Sequence, residues 1–146
     1  MYTIGQVSEM FDLPVSTLRY CDKQGLFPNL ARESGIRKFS DNELEALRVI
    51  ECLKKSGLEI KHIKLFMDWC TEGPSSYSKR HALILQQKKE VEAEILHMKK
   101  TLDMLSYKCW YYEQAIKDGN EERAKALTPD SLPEEIRLAY ENSHKE

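Results

Sequence analysis

The sequence predicts a mainly α protein: a helix-turn-helix with a β-hairpin wing, followed by one long helix. Three observations predict it. Two short amphipathic stretches flank "DLP" near the N-terminus, "ESG" interrupts the helical pattern after residue 30, and a heptad repeat runs through residues 77–116.

The elements follow in order. Thr3 is an N-cap candidate for a helix that directs Ile4, Val7, Met10 and Phe11 to one face. Pro14 disfavours helix at the residue before it, so that helix stops at "DLP". A second helix starts near Ser16, turns Val15, Leu18 and Cys21 inward, and is stopped by Gly25. Pro28 excludes a helix interior, and the "ESG" turn joins two short runs into a hairpin that ends at Phe39. "SDNELEALRVIECLKKSGL" restarts a helix, with Ser40 or Asp41 as cap and Glu43 placed for a capping box; Gly57 ends it. Ile60, Ile63, Phe66, Met67 and Cys70 then repeat at helical spacing. The expected organisation is a first domain at 1–71, a linker at 72–76 within "TEGPSS", a long helix at 77–117, and an acidic tail at 118–146 with weak helices broken by Pro129 and Pro133. That tail is expected to pack loosely or fray.

The long helix carries a seam. Ile84, Val91, Met98, Leu105 and Tyr112 fall seven apart, and Ile95, Leu102, Cys109 and Ile116 follow four residues behind, also seven apart. Such alternation is the pattern of a coiled coil. Lys88 interrupts it, as a polar residue that fixes register does. About 40 helical residues span roughly 60 Å, so a partner helix, most simply a second copy, is needed to cover the stripe. The alternative is a long helix folded back on the first domain.

Charge limits what the chain can bind. The net charge is −2, yet residues 1–71 hold ten Lys/Arg against ten Asp/Glu, while 118–146 hold four against eight. Any nucleic-acid footprint is therefore a local patch. Ser16 and Thr17 stand at a helix start, where hydroxyls and unpaired backbone N–H groups suit phosphate. Arg19 can reach phosphate or a guanine edge, and Tyr20 can stack on sugar or donate to phosphate. A plain surface helix is the alternative for the same four residues. No apolar window is long enough for a membrane span, and no signal-peptide pattern opens the chain, so the expected location is cytoplasmic. Four cysteines without CxxC spacing point to reduced thiols; no metal site and no cofactor is expected. With no phosphate-binding glycine loop and no nucleophile–base pair, an enzyme is not expected either.

"TIGQVSEMFDLPVSTLRYCDKQGLF", "ESGIRKFS", "ELEALRVIECLKKSGLEIKHIK" and the heptads, taken together, resemble the MerR family of transcription regulators. The resemblance covers residues 1 to about 116. It implies a winged helix-turn-helix, an antiparallel coiled-coil homodimer, and binding to double-stranded promoter DNA whose spacer is twisted so that RNA polymerase can engage. Arg19 and Tyr20 match the family's DNA-contacting Arg-Tyr pair, Arg37 its wing arginine, and Lys54 lies near a second phosphate contact. With Thr3, Ser16 and Thr17 these form the expected DNA-binding set. The family pattern Arg-Tyr-Tyr-Glu reads Arg-Tyr-Cys-Asp here, so the second tyrosine contact is absent and a changed grip is expected.

The resemblance leaves the effector open. Neither end of the long helix carries the thiols of the metal-sensing members. Cys52, with Arg48 and Lys55 on its helix face, resembles the cysteine of the electrophile-responsive branch; it equally suits a small buried residue between Val49 and Leu53. Cys70 and Cys109 read as packing residues. Trp110, Tyr111 and Tyr112 either cap a partner's first domain or line an apolar effector pocket. A coiled-coil interaction protein with a degenerate helix-turn-helix is the competing class.

Overall fold

The computed structural model describes all 146 residues, Met1–Glu146. In order they form α1 (Ile4–Phe11), α2 (Val15–Lys23), β1 (Ala31–Glu33), β2 (Ile36–Lys38), α3 (Asp41–Lys55), α4 (Ile60–Glu72), α5 (Tyr77–Asp118), α6 (Glu122–Ala126) and α7 (Glu134–Ser143). The chain is mainly α: a winged helix-turn-helix, then a long helix. No helix is long and apolar enough to cross a membrane. Two compact units divide the chain, Met1–Glu90 and Val91–Glu146.

In the first unit, local signals act where expected. Thr3 Oγ1 accepts from the Gln6 amide at 3.2 Å and Gln6 Oε1 accepts from the Thr3 amide at 2.9 Å, a complete capping box. At the end of α2, Gly25 takes φ +79°, while Leu26 N–H donates to Cys21 O and Gly25 N–H to Asp22 O. This is a Schellman closure, which places glycine in the left-handed region. Ser34 and Gly35 both have positive φ, 51° and 79°. Those angles suit the primed turn that matches strand twist, so β1 and β2 pair antiparallel as Ala31–Lys38, Arg32–Arg37 and Glu33–Ile36. Tyr2 extends this edge by exchanging backbone hydrogen bonds with Phe39 at 2.7 and 2.8 Å.

One core joins these elements. Val7, Leu18, Cys21, Leu26, Phe39, Leu47, Ile50 and Ile63 are fully buried. Phe27 and Phe39 meet edge to face at 5.6 Å, the geometry aromatic pairs prefer.

Several expectations need correction. Met10 lies outside, 53% exposed, because α1 turns Ile4, Val7 and Phe11 toward the core. Ser40 occupies the N-cap position of α3 but donates to the Glu43 carboxylate at 2.7 Å, so the capping box is not formed. Residues 72–76 are no loose linker: Gly73–Ser76 is a 3-10 turn, Ser76 is fully buried, and its hydroxyl accepts from Arg80 Nε at 2.9 Å. Gln87 Nε2 donates to Ser56 Oγ at 3.1 Å, so α5 begins as part of the first unit.

The second unit overturns the frayed tail. Along α5, Asp103 accepts from Lys99 Nζ at 2.8 Å and from Asn142 Nδ2 of α7. Tyr107 meets Tyr140 edge to face at 4.9 Å, and Tyr111 donates to Glu121 at 2.9 Å. Ala124 and Leu132 are buried beside them in the same unit. Acidic composition concealed this fold-back, because its anchors are tyrosines and one asparagine rather than an apolar stripe. At 100° per residue, the seam residues Ile95, Met98, Leu102, Leu105, Cys109, Tyr112 and Ile116 lie on the opposite face of α5. All are exposed, Ile116 by 81% and Met98 by 65%, while Val91 is half-buried. In the first unit Ile84 is 42% exposed.

Candidate nucleic-acid interface

Helix α2 divides its residues by helical spacing. Leu18 and Cys21 are fully buried, which leaves Arg19 and Tyr20 pointing outward; Tyr20 is 49% exposed. Burial pushes the Cys21 thiol up, with Lys54 opposing and Glu51 adding to the effect. The residue that replaces the family tyrosine is therefore a core residue. Pro14 is the N-cap of α2, so the helix starts at Val15; Ser16 is exposed and Thr17 half-buried in its first turn.

The wing is fastened to α2. Asp22 Oδ2 accepts from Arg37 Nε and from Arg32 Nη2, both at 2.7 Å. The shortened acid of the Arg-Tyr-Cys-Asp stretch is thus engaged with the wing. Arg37 is one of two wing arginines on that carboxylate, and Arg32 is the partner of Asp22 that the sequence reading did not single out. Its only signal is cross-strand register with Arg37, two places from the turn. The structure brings Arg19, Tyr20, Arg32 and Arg37 onto α2 and its attached wing. Lys54 lies on α3, 3.3 Å from Glu51 and close enough to act on the Cys21 thiol. Thr3 serves as the cap of α1, joined through Tyr2 to the end of the wing.

Cys52 is exposed on α3, which removes the buried alternative. Arg48, expected beside it as an activating cation, instead pairs with Glu45 at 2.7 Å and stacks over Phe11 at 5.6 Å. Cys70 is exposed too, contrary to a packing role, and Cys109 is exposed among the seam residues on the uncovered face of α5.

A buried core shared by α1–α4, an outward Arg-Tyr pair on the second helix and a hairpin strapped to it define a winged helix-turn-helix regulator. Comparison with known proteins agrees. Residues 2–69 match the family described as MerR HTH family regulatory protein. An uncharacterized HTH-type transcriptional regulator of Haemophilus influenzae is 36% identical over 134 residues, covering 91% of this chain and 97% of the relative. The crystal structure of HiNmlR, a MerR family regulator lacking the sensor domain, bound to promoter DNA, superposes with TM-score 0.73 at 35% identity, covering 86% of this chain and 98% of that one. A MerR family transcriptional regulator from Bacillus thuringiensis gives TM-score 0.68 at 44% identity over 74% of this chain and 96% of that one. The chain belongs to the MerR family of transcription regulators.

Proposed function

We propose that this protein binds a pseudo-palindromic promoter as a homodimer, enters adjacent major grooves with α2, and distorts the spacer to control RNA polymerase. The carrying observation is the outward Arg19–Tyr20 pair on a helix whose other face is completely buried. Such a helix is rigid enough to dock and has no other use for those side chains. Thr3, Ser16, Thr17, Arg37 and Lys54 complete the contact set, supplying backbone contacts that fix register rather than read sequence. The stripe from Ile84 to Ile116 supports an antiparallel coiled coil, which would set the distance between the two recognition helices. Smooth bending of a site costs about 1–6 kcal/mol, which two clamped half-sites can supply. A regulator with 35% identity to this chain was crystallised on promoter DNA. A promoter-binding regulator of this kind works at the chromosome, in the cytoplasm.

Sensing of electrophiles through Cys52 belongs to the same reading and is supported by its exposure. Cys52→Ser, with the other thiols intact, should then abolish any response of promoter binding to a small aldehyde. An unchanged response removes Cys52 from the account.

Footprinting on the DNA upstream of its own gene tests the main reading. Arg19→Ala should erase the footprint while sedimentation still reports a dimer. A protein that leaves no footprint but remains dimeric would be the coiled-coil interaction module instead.

A further inference from the structure

The three-residue junction of α2 with the wing carries more than a fastening. Arg32 and Arg37 stand directly opposite each other across the hairpin, where like charges repel. A single oxygen, Asp22 Oδ2, takes one nitrogen from each at 2.7 Å. The Asp22 side chain is 10% exposed, against 47% for Arg32 and 25% for Arg37. The acid is thus enclosed and the bases reach solvent.

Fastening the wing would need one arginine. The second leaves the cluster with a net positive charge, while the other residues of 1–71 hold eight cations against nine anions. A guanidinium has five N–H donors in a fixed fork, and each here gives one nitrogen to Asp22. The remaining edges are held by Asp22, which lies one helical turn beyond Arg19 on α2. Planar donors held this way suit phosphate oxygens.

We propose that Asp22, Arg32 and Arg37 form a phosphate clamp, in which Arg32 is a DNA-backbone contact and Asp22 is a positioning residue that presents both guanidinium groups. The proposal rests on the DNA-binding reading above and adds two residues to it. Asp22 repels DNA by charge yet helps binding by geometry, so its removal separates two quantities that usually move together.

The test uses the full-length protein, a duplex that it selects from a random-sequence pool, and an unselected random duplex. Asp22→Asn should weaken binding to the selected duplex tenfold or more, while binding to the random duplex stays unchanged or tightens. Asp22→Glu should restore most of the loss. Arg32→Gln should weaken both and flatten the dependence of log affinity on log salt by about one per chain. Amide exchange of residues 31–38 should quicken in Asp22→Asn without DNA. An Asp22→Asn protein with the wild-type ratio of selected to random binding overturns the positioning role, and an unchanged salt slope in Arg32→Gln overturns the contact. If the wild type selects no duplex, the DNA-binding reading fails and the clamp falls with it.

Discussion

The two units solve the problem of apolar side chains in opposite ways. The first closes a core around Leu18, Leu47, Ile50 and Ile63, each fully buried. The second leaves its largest aliphatics in solvent, Ile95 at 63%, Leu102 at 54% and Leu105 at 61%, and holds its fold-back through Asp103, Tyr107 and Tyr111. Scattered exposed apolar residues are ordinary, but a continuous stripe marks an interaction surface. The contrast teaches that α7 has a definite place on α5, and that this place spares the stripe. The first unit is complete as it stands; the second carries an uncovered apolar stripe, the face that the proposed coiled coil would cover.

Cutting into each unit should expose that difference. Leu47→Ala removes a fully buried side chain and should cost about 2–5 kcal/mol, as a lower denaturation midpoint that is independent of protein concentration. Leu102→Asp should do the reverse: it leaves the fold of the single chain intact and weakens self-association. Losing one buried leucine per chain is worth about 1.5–3 kcal/mol, and the added charge makes the loss larger. Sedimentation over a dilution series measures it. A Leu102→Asp protein that dimerises like the wild type would break the comparison, because the stripe would then have some other purpose.

The same contrast explains what the sequence made legible. Elements of the first unit announce themselves through local chemistry: the Thr3–Gln6 capping box, the Schellman glycine at 25, the Ser34–Gly35 turn and apolar spacing at 3.6 residues. The heptads of α5 are equally local. What stayed hidden depends on pairs far apart in sequence. Tyr2 bridging to Phe39, Gln87 reaching Ser56 and Asn142 reaching Asp103 leave no periodic trace. Asp22 reads as an ordinary surface acid until the wing lies beside it. "TEGPSS" looks like a linker because small polar residues favour one, but the Ser76 hydroxyl donating to Trp69 O and Arg80 folding back on Ser76 and Gly73 O give it a fixed shape. Of the candidate site, Arg19, Tyr20 and Arg37 were legible; Arg32 required the hairpin register.

Acid should loosen α7 before it disturbs the first unit. The Asp103 carboxyl is held below its ordinary value of 3.8, first by the hydrogen bond from Lys99 and then by that from Asn142. A carboxylate lowered on folding contributes stability above its unfolded value and loses it as pH falls through the folded one. Contacts of α7 should therefore survive down to about pH 4 and weaken below it, seen as faster amide exchange in residues 134–143. Asp103→Asn should show the weakened state at neutral pH, with the exchange of α3 unchanged. If α3 and α7 opened together in both experiments, the two units would be one cooperative body.

The smallest expected effect lies at the alkaline end, on the hydroxyl of Tyr111. Burial pushes this phenol up to about 12, and its hydrogen bond to Glu121 adds to the shift, since ionisation would set two negative charges side by side. A phenol raised on folding gives stability that is fully present below its ordinary value of 10.0 and is lost as pH rises through the folded one. Ultraviolet titration of the tyrosines should therefore show one late component near 12 in the wild type. Glu121→Gln removes the charge while keeping an acceptor, so that component should move earlier without leaving the late range, because burial remains the larger cause. A Tyr111 that titrates at its ordinary value of 10.0 would mean that α6 does not hold its place against α5, and the fold-back would then depend on the Tyr107–Tyr140 and Asp103–Asn142 contacts alone.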